Sequence, residues 1–212
     1  MGEVLVWTDT GPRACGISVQ RPTTQVIGVH ASSPTSLLGM DPPPRIIRAE
    51  GWADNGPVTL VSWEVACFLE HLRDGDFQVL EIPFGPRPLR ASSAHGQLLE
   101  QVRFSICSAH LQSWWKALDR MPSSTEHGAW DRARSALTAT LLARTGELVL
   151  DFSQLLGALE IAPGVGQDPA ALYRHALDLF EKAMVASPVP DQPDYADLQG
   201  FLDWVRDAHG DA

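Results

Sequence analysis

Over the first 90 residues the apolar positions fall into short β-branched runs cut by turn residues, the pattern of half-buried strands. Met1–Trp7 alternates around Val4 and Val6 and breaks at Asp9–Gly11. Gln25–His30 carries Val26, Ile27 and Val29 after a proline-marked turn, and Pro57–Ser62 and Phe77–Ile82 read as two further strands. Between them, Asp41-Pro42-Pro43-Pro44 is expected to be a stiff extended loop, because each proline fixes its own φ and steers its predecessor away from helix. A helix is expected over Trp63–Arg73, capped by Ser62 and stopped at Asp74-Gly75, with Val65, Phe68 and Leu69 on one face.

Beyond Pro88 the spacing becomes helical. Leu98, Val102, Ile106 and Ala109 recur at three- to four-residue intervals, and one helix is expected to run on through Trp114, Trp115 and Leu118. Trp130–Arg144 places Ala133, Leu137 and Leu141 in one stripe and closes at Thr145-Gly146. Asp168-Pro169 is an N-cap with proline at the first helical position. It opens a helix with Leu172, Ala176, Leu179, Phe180 and Ala183 inward, which Ser187-Pro188 ends. Asp194 is expected to cap a last helix carrying Tyr195, Leu198, Leu202 and Val205. The layout is α+β: an α/β core over residues 1–92, then a helical part over residues 93–212.

Composition narrows the classes. With 44% hydrophobic and 20% charged residues, the 212-residue chain has the make-up of a globular protein rather than a disordered one. Sixteen Lys+Arg against 26 Asp+Glu give a net charge of −10, and Lys116 and Lys182 are the only lysines. No basic stripe can neutralise a run of phosphates, so broad duplex nucleic-acid binding is not expected. No apolar run reaches the length of a bilayer span, no leader pattern opens the chain, and no membrane association is expected. Cys15, Cys67 and Cys107 are odd in number and widely spaced, which reads as buried thiols in a cytoplasmic protein. The seven histidines show no zinc-ligand spacing.

The segment Gly11-Pro12-Arg13-Ala14-Cys15-Gly16-Ile17 through Gly28-Val29 resembles a bacterial family of predicted nucleotidyltransferases in the DNA polymerase beta superfamily, whose pattern is G-S-R-A-Y-G-L…S-D-x-D-x-x-G-V. Later stretches resemble the same family in the same order: Ser36-Leu37-Leu38-Gly39 with Asp41-Pro42-Pro43, Val79-Leu80-Glu81 before Pro83-Phe84, Arg144-Thr145-Gly146-Glu147-Leu148, and Ser187-Pro188-Val189-Pro190 with Pro193-Asp194-Tyr195. The resemblance implies a small mixed β-sheet core followed by a helical half packed over it.

The family's chemistry needs carboxylates that hold two Mg²⁺ ions, one activating the attacking hydroxyl and one stabilising pyrophosphate. Two acids at i and i+2 of a strand point to one side and make such a site. Counted from Gly11 and back from Gly28, those positions are Thr23 and Gln25, and the third acid aligns with Pro57. The motif serine is Pro12 and its tyrosine Cys15, and in the helical part only Arg134 matches the family's Lys-His-x-x-His-x-x-Arg helix. The resemblance therefore implies a pseudoenzyme with no metal ligands and no identifiable catalytic residue. Its cleft for a small anionic or nucleotide-like ligand would draw on Gly11, Arg13, Gly16, Thr23, Gln25 and Arg134. In the net-acidic chain, Glu81 or Glu64 is the internal alternative partner for the two arginines. Two other readings stay open. One is an active enzyme transferring a nucleoside monophosphate with Mg²⁺ as cofactor, its site rebuilt from Asp9, Asp54 or Glu50. The other is an antitoxin-like or subunit module whose tryptophan-rich helical half binds a protein partner.

Overall fold

The computed structural model describes residues 3–18, 24–53, 56–195 and 197–209. They form a mixed α+β protein with a five-stranded sheet. Two compact units divide the chain discontinuously: Met1–Gly11, Thr23–Ser105 and Pro193–Ala212 make the first, Pro12–Pro22 and Ile106–Gln192 the second.

The first unit is built on the sheet. Its strands are β1 (Glu3–Asp9), β2 (Thr24–Ala31), β3 (Ile46–Ala53), β4 (Gly56–Glu64) and β5 (Arg87–Ala91), ordered β3-β4-β2-β1-β5. β2 and β4 run parallel and the other neighbours antiparallel. A single-turn helix α1 (Pro34–Leu37) leads from β2 towards β3. The chain leaves β4 directly into α2 (Val65–Arg73), whose Val65, Phe68, Leu69 and Leu72 are buried. α4 (His95–Ser105) and α9 (Leu198–His209) complete the unit, with Leu98, Val102, Phe201 and Val205 in the core.

Several elements differ from the sequence reading. Phe77–Ile82 is no strand: Asp76 caps a short helix α3 (Phe77–Leu80) by accepting the Gln78 N–H, which meets the backbone's needs locally instead of in a ladder. Ser62 caps nothing, because β4 continues two residues further and the Glu64 carboxylate takes the cap by accepting the Ala66 N–H at 2.8 Å. β3 and β5 are strands the apolar pattern did not show. Both are edges without a buried residue, Ile46 and Ile47 being half-buried and the rest exposed, so neither shows an apolar face. Pro88 is tolerated in β5 because an edge strand has no second ladder for the missing N–H.

The second unit is helical: α5 (Ser108–Leu118), α6 (Glu126–Thr145), α7 (Phe152–Ala158), a 3₁₀ turn at Val165–Gln167, and α8 (Pro169–Met184). The helix expected to run unbroken from Leu98 to Leu118 stops at Ser105. The backbone is extended at Cys107, the N-cap of α5. α6 is the central element. From Ala133 to Ala143 every residue is buried, and the small side chains Ala, Ser and Thr let neighbouring helices approach on all sides. Thr140 Oγ1 donates across to the Ala176 carbonyl of α8, and Trp114 of α5 donates its indole N–H to Ser135 Oγ at 2.6 Å. Gly146 ends α6 at φ +77°, a left-handed position where glycine avoids the Cβ penalty. α8 is capped by Asp168 with Pro169 at its start, as the sequence indicates. Asp194 does not cap α9: that helix begins at Leu198, and the Asp194 N–H donates to the Phe104 carbonyl.

Candidate functional site

β1 ends at Asp9, whose buried carboxylate accepts the Gly11 N–H at 3.0 Å and so closes the turn. Thr10 N–H donates to the Gln25 carbonyl at 2.8 Å, which ties the start of β2 to the end of β1. Gln25 itself is half-buried, and Thr23 lies outside the described residues. Gly11 and Gln25 thus belong to the sheet unit, on two adjoining strand ends.

The register of the sheet decides which acids share a face with Gln25. Directly opposed residues on neighbouring strands point to the same side, and successive residues alternate. Gln25 pairs with Thr59 of β4, and Thr59 pairs with Glu50 of β3, so Gln25, Thr59 and Glu50 form one row on one face. Asp9 pairs with Val26, one residue on from Gln25, and therefore faces the other side. Pro57 stands at the opening of β4, and the one carboxylate of that strand, Glu64, is at its far end under α2. Asp54 lies outside the described residues. Among the described residues no group of three or more His, Cys, Asp or Glu side chains comes together as a metal site would require.

The rest of the glycine turn belongs to the helical unit. Ile17 N–H donates to the Pro12 carbonyl at 2.8 Å, and Gly16 N–H to the Arg13 carbonyl. The Cys15 carbonyl accepts the Phe152 N–H at 2.8 Å, which anchors the turn to the start of α7. There Asp151 is the N-cap, and hydrogen bonds from the Ser153 hydroxyl and Gln154 N–H hold its carboxyl below the ordinary value. Gly16 sits at φ +83°, so the turn needs glycine for its backbone conformation, while a Cβ there would only reach ordinary contact with Asp151 Oδ2 at 3.8 Å. Cys15 is fully buried, a packed thiol inaccessible to a reactant.

The two arginines carried by the resemblance differ sharply. Arg13 is exposed. Arg134 is buried on α6, and its guanidinium meets the Asp131 carboxylate at 3.1 Å one turn upstream. Asp131 is thus an internal partner of Arg134 that the sequence pattern did not name. Glu64 instead caps α2, with the Arg206 guanidinium 3.9 Å away.

Two further clusters were not singled out from sequence. Within the sheet unit, Trp7 donates its indole N–H to Ser62 Oγ at 3.4 Å, and Ser62 Oγ lies 2.9 Å from His30 Nδ1. With its oxygen accepting from Trp7, the Ser62 hydroxyl can donate to a neutral His30, and burial lowers the histidine's pKa in the same sense. His30 and Ser62 are both about 2% exposed or less, so this pair braces the sheet and is closed to a substrate. Within the helical unit, Thr140, Arg144, Leu159, Leu179, Lys182, Ala183 and Ala186 line a cavity of about 340 Å³. The scarcity of lysine was the one sequence signal for it. Trp114 is buried and offers no stacking platform, while half-buried Trp115 lies flat on Phe180 at 4.7 Å, which occupies one of its faces. Among the described residues the most exposed large aromatic, Trp52, stands on β3 of the sheet unit.

No family model and no curated relative matches the chain. Among solved structures, it is similar to a nucleotidyltransferase-like protein from Exiguobacterium sibiricum 255-15, at 11% identity and a TM-score of 0.33, over 85% of this chain and 69% of that one. Among the described residues, no helix is long and apolar enough to cross a membrane.

Proposed function

We propose that the chain is a nucleotidyltransferase-like protein that has lost metal-dependent transfer and keeps a binding role towards a small anionic or nucleotide-like ligand, in a bacterial cytoplasm. The observation that carries this reading is the register of the sheet. A rebuilt Mg²⁺ site needs at least two carboxylates converging on one ion. Asp9 and Glu50 stand on opposite faces, Asp9 is engaged with Gly11, and Gln25 brings a neutral amide to the row that holds Glu50. Arg13 is the group assigned to the ligand. It is exposed in a turn held by its own backbone hydrogen bonds, and among the described residues it has no carboxylate partner, so its planar fork is available to a phosphate. Arg134, paired with Asp131, is assigned a supporting role.

Calorimetric titration with ATP, ADP and AMP, in Mg²⁺ and in EDTA, tests the reading. Binding of equal strength in both buffers, without pyrophosphate release, is the expected result. Arg13→Ala should weaken that binding about tenfold or more, as loss of a charged hydrogen-bond donor does. Mg²⁺-dependent binding with pyrophosphate release overturns the loss of transfer. Absence of binding by all three nucleotides overturns the nucleotide-like ligand.

A further inference from the structure

The cavity of the helical unit has a composition at odds with the rest of the molecule. The chain carries ten more acidic than basic residues, yet among the described residues no Asp or Glu lines this cavity. Its two charged groups are Arg144, from the last turn of α6, and Lys182, from the last turn of α8, one of the two lysines in the protein. Both are exposed, and neither has an ion-pair partner among the described residues, although Glu147 and Glu181 are close in sequence. A cation in a helix's last turn also complements the carbonyl end of that helix. That role explains each charge separately but not their convergence on one hollow.

The floor is apolar. Leu159, Leu179, Ala183 and Ala186 line it, and the Thr140 hydroxyl is turned into hydrogen bonds with the Ala136 and Ala176 carbonyls. A hollow of this size with an apolar base and a few convergent polar groups has the character of a small-ligand site. Two positive groups at its edge select a negative head, and the base selects a hydrocarbon body. The geometry points to a binding site for an amphipathic organic anion: one carboxylate or phosphate head held between Arg144 and Lys182, with a short aliphatic body over Leu159 and Leu179. This site lies wholly within the helical unit and is independent of the role assigned to Arg13.

Titration of the full chain with octanoate, octyl phosphate, inorganic phosphate and octanol tests both halves of the recognition. The expected result is one molecule of octanoate or octyl phosphate per chain, with the tighter of the two identifying the head group. Arg144→Gln and Lys182→Gln should each weaken that binding about tenfold, since each removes one charge-assisted contact. Melting temperature in the absence of ligand and far-ultraviolet circular dichroism verify that these surface variants fold. Leu179→Asn should weaken octanoate while leaving any inorganic phosphate binding unchanged. Octanol binding as tightly as octanoate, or unchanged affinity in the Arg144→Gln/Lys182→Gln double variant, overturns the anionic head. Inorganic phosphate binding as tightly as octyl phosphate overturns the apolar body. Failure of both octyl anions to bind at millimolar concentration overturns the site. Arg13→Ala should leave octanoate binding unchanged, which separates this site from the nucleotide test.

Discussion

Gly28 lies directly under Trp7, its partner in the β1–β2 ladder. A Cβ on it would run into the Val6 carbonyl and the Trp7 ring. A backbone carbonyl cannot swing aside as a side-chain tip can, so Gly28→Ala should destabilise by about 1–3 kcal/mol, read as a lower urea midpoint with Trp7 fluorescence altered. His30, two residues on, gives a pH signature. Its pKa is lowered from 6.5 by burial, so below pH 6.5 the unfolded chain binds a proton that the folded chain refuses. Stability should therefore fall as pH drops from about 6.5 towards the lower folded value, and be insensitive to this group above it. His30→Gln should flatten that part of a urea-midpoint profile. The loss connected with Asp151, whose pKa is lowered from 3.8, lies in a separate, more acidic window. Gly28 was legible in the sequence as a motif glycine, whereas its cause was not. The cause is a tryptophan 21 positions earlier in the chain that only strand pairing brings over it.

At the scale of elements, legibility followed burial. The α6 stripe, the Asp168-Pro169 start of α8 and the Gly146 stop were readable because their signals are local: an apolar period, a cap and a left-handed residue. β3 and β5 were not, because an edge strand can be held by backbone pairing with its side chains mostly in solvent. Phe77–Leu80 misled in the other direction, since a short segment with three apolar positions in four cannot distinguish a buried strand from a buried helical turn. The candidate site shows the same division. Gly16 and Arg13 could be read from a turn motif, while the row joining Gln25, Thr59 and Glu50 depends on register across three strands. Leu137 tests the central helix. Fully buried on α6, its replacement by alanine should cost about 2–5 kcal/mol, measured by chemical unfolding monitored through Trp114 and Trp130.

At the scale of the whole molecule, the sheet unit is completed by residues far from its strands. Phe201 and Val205 of α9 are buried, the α9 residue Arg206 faces Glu64, and Tyr195 donates its hydroxyl to the Arg73 carbonyl at 2.7 Å. Removal of residues 193–212 should destabilise the sheet unit by several kcal/mol, since each buried apolar side chain accounts for about 1.5–3 kcal/mol. The measurement is hydrogen exchange of β2 and β4 amides, which should lose protection before those of α6 and α8. The same discontinuity sets an order of events during synthesis. A growing chain ordinarily completes its domains from the N-terminus onwards. Here the segment 12–22 and the stretch 106–192 are both translated before α9. The helical unit therefore has all its parts first, and the strands, though translated earliest, wait with one apolar flank open until α9 arrives. During that interval the edge strands β3 and β5 are the segments most open to pairing with another nascent chain, and proline in β5 and the charged Arg48 and Glu50 in β3 are features that discourage it.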